Sequence, residues 1–119
     1  MKHRIIVCFV VVLAAVTQVY ADCVRNEYGN IACGKGQCKS NQYGKAFCAK
    51  EGGGAINSIY GSVLCGVGYC ILDDNDHVLC SKVQGGEAKI DDNGKVTCTG
   101  GCVAGNKSLC EEVHFSKDY

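Results

Sequence analysis

The sequence predicts a small, disulfide-rich, β-leaning protein built from three tandem hairpin units of about 32 residues, each framed by cysteines, with five disulfides in all. Three observations lead to this fold class. A cysteine-framed phrase occurs three times, ten cysteines follow a segment typical of a cleaved leader, and large apolar residues are scarce, with no Trp and three Phe in 119 residues. A small chain with so little apolar bulk needs covalent cross-links, because its core alone buries too little area to hold the fold.

A phrase framed by three cysteines defines the repeat. The cysteines of the second copy lie 32 residues after those of the first, and those of the third copy follow by 33, 32 and 30 residues. A period of this size indicates one supersecondary unit repeated along the chain. The three copies span Tyr28–Cys48, Tyr60–Cys80 and Asn93–Cys110. We therefore divide a single disulfide-rich domain, residues 22–119, into units 22–51, 52–83 and 84–112 and a short C-terminal tail, 113–119.

The first 21 residues are typical of a secretory signal peptide. Residues 2–4 are basic, residues 5–15 are apolar, and Val19 and Ala21 supply the small side chains that a signal peptidase selects. A membrane anchor is the alternative, but the uncharged stretch of 17 residues is shorter than the roughly 20 apolar residues that a spanning helix needs. The sequence therefore predicts a secreted, extracellular protein without membrane insertion.

Cleavage after residue 21 removes Cys8 and leaves an even number of cysteines, which in a short secreted chain indicates that all are paired. The ten are Cys23, Cys33, Cys38, Cys48, Cys65, Cys70, Cys80, Cys98, Cys102 and Cys110. Their connectivity does not follow from the sequence, because ten cysteines allow hundreds of pairings. One set that respects the repeat is Cys33–Cys48, Cys65–Cys80 and Cys98–Cys110, completed by Cys23–Cys38 and Cys70–Cys102.

Each unit has the pattern of a β-hairpin. Short runs of β-forming residues lead to the first cysteine, and Gly, Asn and Asp mark the turns. Gly29, Gly61 and Gly94 occupy the same offset in the three units, which predicts a positive φ that a larger residue would resist. Gly52-Gly53-Gly54 and Gly85-Gly86 separate the units and predict either hinges or tight crossings between packed neighbours.

The spacing of the first four mature cysteines resembles the first two-thirds of an EGF-like module over about 30 residues. The residues that carry the resemblance are Cys23, Cys33, Gly36, Cys38, Gly44 and Cys48. It implies crossing disulfides in this segment, Cys23–Cys38 and Cys33–Cys48. More broadly, the chain resembles small secreted cysteine-rich proteins such as venom and salivary components and the effectors of parasites or fungi. That class implies binding to an extracellular target without catalysis.

The charge of the mature chain argues against a nucleic-acid-binding protein. Residues 22–119 contain ten Lys and Arg and twelve Asp and Glu, with a net charge of +3 over residues 22–50 and −5 over residues 51–119. This dipolar distribution either orients a partner or reflects solvated loops. It lacks the basic cluster that nucleic-acid binding requires. No nucleophile–base motif or phosphate loop occurs, so we predict neither an enzyme nor a cofactor.

The sequence predicts no metal site and offers one glycosylation site. Asp73–His77 gathers three carboxylates that could bind calcium, but it lacks the glycine and glutamate of an EF-hand loop, so a solvated turn is preferred. Asp91–Gly94 likewise predicts a turn. Cys-x-x-Cys spacing is absent, which argues against zinc. Asn106 begins the one N-glycosylation sequon, in a segment that we expect to be exposed.

Tyr28, Tyr43, Tyr60 and Tyr69 cluster around the glycine turns of the first two units and are the candidate binding residues. Aromatic rings on a rigid, cross-linked frame can anchor a protein interface or stack on a sugar. The alternative is that these rings cover the disulfides in place of a core.

These features favour a secreted, effector-like or toxin-like binding protein that acts on an extracellular protein target without catalysis. Cross-linked loops suit this role because they lose little entropy on binding. A carbohydrate-binding module for chitin or a similar polysaccharide is the alternative, with the tyrosines stacking on the sugar. A protease inhibitor is a further alternative, in which Lys35 or Lys39 is the basic residue presented to the enzyme.

Overall fold

The chain folds as a succession of short antiparallel hairpins. The computed structural model describes residues 22–116, which form twelve strands and one 3₁₀ helix. The predicted fold class, a small disulfide-rich β protein, is confirmed. The predicted signal peptide lies outside the described residues. The strands are β1 (Asp22–Arg25), β2 (Ile31–Gly34), β3 (Cys38–Ser40), β4 (Ala46–Ala49), β5 (Ala55–Asn57), β6 (Val63–Cys65), β7 (Cys70–Leu72), β8 (Val78–Ser81), β9 (Ala88–Ile90), β10 (Val96–Cys98), β11 (Cys102–Ala104) and β12 (Cys110–Val113).

Within residues 22–116, the first ten strands pair in chain order as five hairpins, which we number 1 to 5. All five share an eleven-residue frame whose first and last positions face each other across the hairpin. The facing pairs are Cys23 and Cys33, Cys38 and Cys48, Ala55 and Cys65, Cys70 and Cys80, and Ala88 and Cys98. Units 22–51 and 52–83 therefore contain two hairpins each, and unit 84–112 contains one hairpin followed by a return segment.

The five hairpin turns have one common construction. The fourth frame position is a capping residue, Asn26 in hairpin 1, whose Oδ1 accepts the N–H groups of Tyr28 and Asn30 at 3.0 and 2.9 Å. A short polar side chain at this point satisfies the turn backbone locally, which is why Asn, Ser and Asp occupy it. The other capping residues are Asn41, Ser58, Asp73 and Asp91.

The seventh frame position has a positive φ in every described turn. Gly29, Gly61 and Gly94 have φ values of 83°, 85° and 82°, as the sequence predicted, and Gly44 has 79°. Hairpin 4 differs because Asp76 occupies this position, with a φ of 66°. Asp tolerates the left-handed region better than most residues but less well than Gly.

Five disulfides join the ten cysteines of the described part. Three of them close a hairpin between directly facing residues, with Cα atoms 4.1, 4.0 and 3.9 Å apart. These are Cys23–Cys33, Cys38–Cys48 and Cys70–Cys80. The remaining two are Cys65–Cys110 and Cys98–Cys102.

The disulfide pairing that joined the first and third cysteines of each unit was wrong, and so was the crossing pattern of the EGF-like resemblance. Two cysteines ten residues apart flank a tight turn, so the strand register itself brings them face to face. In hairpins 3 and 5, Ala55 and Ala88 stand opposite the cysteine. Cys65 and Cys98 therefore form their disulfides outside their own hairpins.

The hairpins stack closely on one another, and glycine makes the close approach possible. Strand β1 lies against β3, β3 against β5, β5 against β7, and β7 against β9. A Cβ on Gly66 would overlap the Cys70–Cys80 disulfide of the next hairpin, and a Cβ on Gly53 would overlap the Gly66 carbonyl. Backbone hydrogen bonds join the layers, as from Gly54 N–H to the Gly68 carbonyl at 2.9 Å. Residues 52–54 and Gly86 are thus tight crossings, whereas a Cβ on Gly85 would meet no atom within 4 Å.

A return segment, residues 102–116, runs back along the second strands of four hairpins. Strand β11 pairs with β8 of hairpin 4, Asn106 bridges to Cys65 of hairpin 3, and β12 pairs with β4 of hairpin 2. Ser116 then bridges to Ile31 of hairpin 1. Residues 113–116 of the predicted tail therefore belong to this segment, which ties the hairpins together in the reverse order.

The buried core is small and consists mainly of Ala, Val and cystine. Its main cluster lies where hairpins 2 and 3 meet the return segment and contains Ala49, Ala55, Val63 and Cys65, with Phe47, Leu109 and Cys110 packed against it. Such short side chains bury little apolar area, so disulfides and backbone hydrogen bonds take a large share of the stabilisation. Within residues 22–116, we find no helix whose length and apolar character would suit a membrane span.

Candidate functional site

The hairpin turns follow one another along one edge of the molecule, which we call the turn edge. It comprises residues 26–30, 41–45, 58–62, 73–77 and 91–95. Gln42 N–H donates to the Gly61 carbonyl at 2.9 Å, so the second and third turns touch. A Cβ added to Gly94 would meet the Asp74 carboxylate, so the fourth and fifth turns are also neighbours. The first and second turns line one shared opening and the third and fourth turns line another, so the stacking of the hairpins places the five turns side by side.

Three of the four predicted binding tyrosines occupy the same frame position in three consecutive turns. Tyr28, Tyr43 and Tyr60 have exposed fractions of 80%, 78% and 79%. Rings this exposed do not cover the disulfides, which was the alternative role considered for them. The sixth frame position is Asn75 and Asn93 in the last two turns. The turn edge thus begins with three tyrosines and continues with polar residues.

Tyr69 does not belong to the turn edge. It lies in the linker between β6 and β7, where its N–H donates to the Gly86 carbonyl and its carbonyl accepts the Ser81 N–H, at 2.9 and 3.0 Å. Its side chain is 39% exposed. The structure therefore separates Tyr69 from the other three tyrosines and gives it a place in the packing of the linkers.

The backbone under each of the three tyrosines is held by its capping residue. Tyr28 N–H donates to Asn26 Oδ1, Tyr43 N–H donates to Asn41 Oδ1 at 2.9 Å, and Tyr60 N–H donates to Ser58 Oγ at 3.2 Å. The turns are thus ordered by local hydrogen bonds while the rings project into solvent. This combination presents rigid aromatic groups to a partner at low entropic cost.

A polar cleft of about 660 Å³ separates the first and second turns. Tyr28 and Tyr43 both line it. Between them lie side chains that can donate or accept hydrogen bonds or carry charge: Arg25, Glu27, Ser40 and Gln42. Aromatic faces next to amide, hydroxyl and charged groups can bind either a protein or a sugar.

A second opening, the groove between the third and fourth turns, has a volume of about 520 Å³ and a different lining. Its apolar lining comes from Leu64, Val78, Leu79 and Ala104. The polar side chains of the lining are Ser58, Tyr60, Ser62, Asp73, Asp76 and His77. This groove combines an aromatic ring, an apolar surface and two carboxylates.

Charge is distributed unevenly along the turn edge. The fourth turn, residues 73–77, contains three carboxylates, and the fifth, residues 91–95, contains two. The first three turns together contain one carboxylate, that of Glu27. The chain-wide asymmetry seen in the sequence therefore appears on this surface as an acidic end next to a tyrosine-bearing end. A distribution of this kind can orient a charged partner as it approaches.

The acidic loop Asp73–His77 is the fourth hairpin turn. Asp73 Oδ1 accepts the N–H groups of Asn75 and His77 at 2.9 and 2.8 Å, and Oδ2 lies 3.6 Å from His77 Nδ1. Asp91 caps the fifth turn in the same way. In the part of the chain that the structure describes, no group of three or more His, Cys, Asp or Glu side chains is placed to hold a metal ion.

The remaining candidate residues lie away from the turn edge. Asn106, the glycosylation candidate, is exposed on the return segment, where its Oδ1 accepts the Ser108 N–H at 2.9 Å at the start of the 3₁₀ helix Lys107–Leu109. Lys35 is exposed in the linker before β3, and Lys39 is exposed within β3. The two lysines thus occupy two different elements.

The capping residues are the part of the site that our sequence analysis missed. A signal for them exists, because Asn, Ser or Asp stands three residues after the first frame position in all five frames. Ala in place of Cys at two of these first positions hides the pattern from a search for cysteines.

Comparison with protein families, curated proteins and solved structures found no match to this chain. The functional assignment therefore rests on the turn edge itself.

Proposed function

We propose that this protein is a secreted, non-catalytic binding protein that recognises an extracellular protein target through its turn edge. Five disulfides within a small β fold are typical of proteins in an oxidising, extracellular environment. The predicted signal peptide agrees with that compartment. This role is effector-like or toxin-like in the sense that a small rigid protein acts by occupying a partner.

The observation that supports this proposal best is the row of Tyr28, Tyr43 and Tyr60. Each ring is about four-fifths exposed, and the three occupy equivalent positions in adjacent hairpins. Tyrosine is enriched among the residues that dominate protein interfaces, because it buries a large ring and also offers a hydroxyl. These exposed rings lie outside the buried core, which supports a role in recognition.

The rigidity of the turn edge favours tight binding. Ordering a flexible loop on binding costs free energy for each immobilised side chain, about 0.5–1.5 kcal/mol. Here the turn backbone is hydrogen-bonded to its caps, and hairpins 1 and 2 are each closed by a disulfide. The backbone beneath the tyrosines therefore needs little further ordering on binding, which leaves more of the interaction energy for affinity.

A second candidate function is carbohydrate binding, and the cleft between the first two turns is the observation that favours it. Tyr28 and Tyr43 line this cleft together with Arg25, Glu27 and Gln42. Rings with adjacent hydrogen-bonding side chains suit a chitin-type polysaccharide as well as a protein surface.

The proposal is tested by photo-crosslinking from the turn edge. The oxidised secreted protein is prepared with p-benzoylphenylalanine in place of Tyr43, and a matched control has the same group in place of Tyr69, away from the turn edge. Both are exposed to an array of extracellular protein domains and, in parallel, to insoluble chitin and cellulose. We expect a protein adduct from position 43 that excess wild-type protein suppresses and that the Tyr28→Ala/Tyr60→Ala double variant does not suppress.

The two candidate functions give different results in this experiment. Retention on a polysaccharide that is lost with the double variant, without any protein adduct, would replace the protein-target proposal by the carbohydrate one. Equal adducts from positions 43 and 69 would show that the turn edge has no special role and would refute the proposal.

A further inference from the structure

We propose that the groove between the third and fourth turns receives a basic side chain, preferably arginine, of the protein target; the inference rests on the proposed function and names the chemistry of one contact. Its lining is unlike that of the polar cleft at the first two turns. It offers an apolar surface, an aromatic ring and carboxylates in one opening of about 520 Å³. A long basic side chain has an apolar stem and a cationic head. The stem matches the apolar surface of the groove, and the head matches the ring and the carboxylates.

The apolar part of the groove matches the stem of such a side chain. Val78 is buried, and Leu64 and Leu79 are half-buried beside it. Ala104 of the return segment completes this surface. Methylene groups laid on these residues leave water, which favours binding in proportion to the area covered. A small inorganic cation would leave this surface unused.

The carboxylate of Asp76 is available to the cationic head. Among the described residues, it has no hydrogen-bond or ion-pair partner. Asp73, by contrast, is occupied by two turn N–H groups and lies near His77. Both aspartates line the groove, whereas no Lys or Arg is among the described residues that line it. The groove therefore has negative charge that the protein itself does not neutralise.

The position of Asp76 also sets this turn apart from the other four. The seventh frame position is Gly in hairpins 1, 2, 3 and 5. In hairpin 4 it is Asp76, whose φ is 66°. A non-glycine residue in the left-handed region is less favourable than glycine. The carboxylate is thus placed at the groove in spite of a conformational cost, and a residue in such a conformation is more common at functional sites.

Tyr60 supplies the third recognition element. It lines the groove and is 79% exposed, so its ring is accessible to a ligand. A guanidinium group can stack on a tyrosine face and donate to a carboxylate with its remaining N–H groups, which an ammonium group does less well. This geometry of donors is the reason for preferring arginine over lysine.

The inference is tested without knowledge of the target, with N-acetyl-arginine-N-methylamide as the probe. The oxidised, ¹⁵N-labelled secreted protein is titrated with this probe while its amide resonances are recorded by NMR. The neutral isostere N-acetyl-citrulline-N-methylamide is the matched control probe. We expect saturable shifts confined to amides of residues 58–64, 73–79 and 104–105, with a dissociation constant on the order of millimolar. Citrulline should produce no saturation in the same range.

Two substitutions of Asp76 and one control substitution of Asp92 locate the binding. Asp76→Asn removes the charge and keeps a residue that tolerates the left-handed region, so the fold is retained, and we expect affinity to fall about fivefold or more. Asp76→Gly, which restores the residue of the other turns, should give the same loss. Asp92→Asn removes an equal charge from the fifth turn, outside the groove, and should leave the affinity within about twofold, since exposed charges at a distance are screened.

Several results would overturn the inference. These are the absence of saturable shifts, equal binding of the citrulline probe, or an equal loss in Asp76→Asn and Asp92→Asn. Saturation by a glucosamine oligomer but not by the arginine probe would assign the groove to a cationic sugar instead. The outcome is separable from the proposed function, because the adduct from position 43 tests target binding without reference to the groove. An adduct without arginine binding would reject only the inference.

Discussion

Exchanging the partner of Cys65 tests whether the eleven-residue frame governs the disulfides. Hairpin 3 lacks its own closing disulfide only because Ala55 faces Cys65, so Cys65 bonds to Cys110 of the return segment. The double substitution Ala55→Cys/Cys110→Ala should move the disulfide to positions 55 and 65. The protein then keeps five disulfides, but hairpin 3 is closed and the return segment loses its covalent tie.

The expected change in stability follows from the lengths of the two loops. Cys65–Cys110 closes 45 residues, which the nested Cys70–Cys80 and Cys98–Cys102 disulfides shorten to about 33 along the shortest path. The chain-entropy model then assigns it about 3.7 kcal/mol. A ten-residue loop, as in Cys38–Cys48, is assigned about 2.7 kcal/mol. We therefore expect the variant to be about 1 kcal/mol less stable, which lowers Tm by about 4–8 °C.

The assay is thermal and guanidinium unfolding of the oxidised variant, followed by circular dichroism, with a peptide map of its disulfides. The Cys65→Ala/Cys110→Ala variant is the control, and it should lose about 3.7 kcal/mol because no new loop is closed. A free thiol at position 55, or a mixture of isomers, would refute the register on which the frame depends. A variant more stable than the wild type would refute the entropic account of the return segment.

Three further changes test local features of the hairpin stack, each by the free energy of unfolding. Gly66→Ala should destabilise the protein by about 1–3 kcal/mol or more, because the new Cβ overlaps the disulfide of hairpin 4, and a loss below 0.5 kcal/mol would contradict the close stacking. Ser81→Ala should cost about 1–3 kcal/mol, because the buried Ser81 Oγ donates to the Thr99 carbonyl at 2.5 Å and accepts the Val83 N–H at 3.1 Å. Asp73→Ala should cost about 1 kcal/mol through loss of the turn cap, whereas Asp73→Asn should retain most of it, and equal losses would indicate a role for charge instead.

Much of the local structure could be predicted from the sequence because it depends on near neighbours. The positive φ at Gly29, Gly61 and Gly94 follows from a turn motif of a few residues. β-forming runs between turn residues predicted hairpins as such, but only one in each unit, whereas the first two units contain two hairpins each. The glycines at residues 52–54 predicted either hinges or tight crossings. Backbone hydrogen bonds between the layers show that they are tight crossings.

The disulfide pairing could not be predicted because it depends on which residue faces each cysteine. Ala55 and Ala88 interrupt the ten-residue spacing, so the cysteines alone show a period of about 32 residues and hide the shorter hairpin frame. The return segment was also missed, because its pairing with β4 and β8 joins residues distant in sequence. Non-local strand pairing leaves no local pattern of its own.

Only part of the candidate site could be predicted, because the stacking of the hairpins brings its residues together. Tyr28, Tyr43 and Tyr60 share an offset from a glycine, which the sequence reveals, but their gathering on one edge depends on how the hairpins stack. Tyr69 follows a glycine as well and is nevertheless held among the linkers. The groove lined by Asp76 combines residues from two turns and the return segment, and only the fold brings them together.

The hairpin frame is tested most directly by a disulfide map, by mass spectrometry, of the oxidised protein comprising residues 22–119. Chymotrypsin at Tyr69 and Asp-N protease at Asp73 separate the cysteines of hairpins 3 and 4, and trypsin at Lys35 and Lys45 separates those of hairpins 1 and 2. We predict that all three ten-residue pairs are found, together with Cys65–Cys110 and Cys98–Cys102. Cys33 bonded to Cys48 would contradict the hairpin frame and, with it, the turn edge on which the proposed function rests.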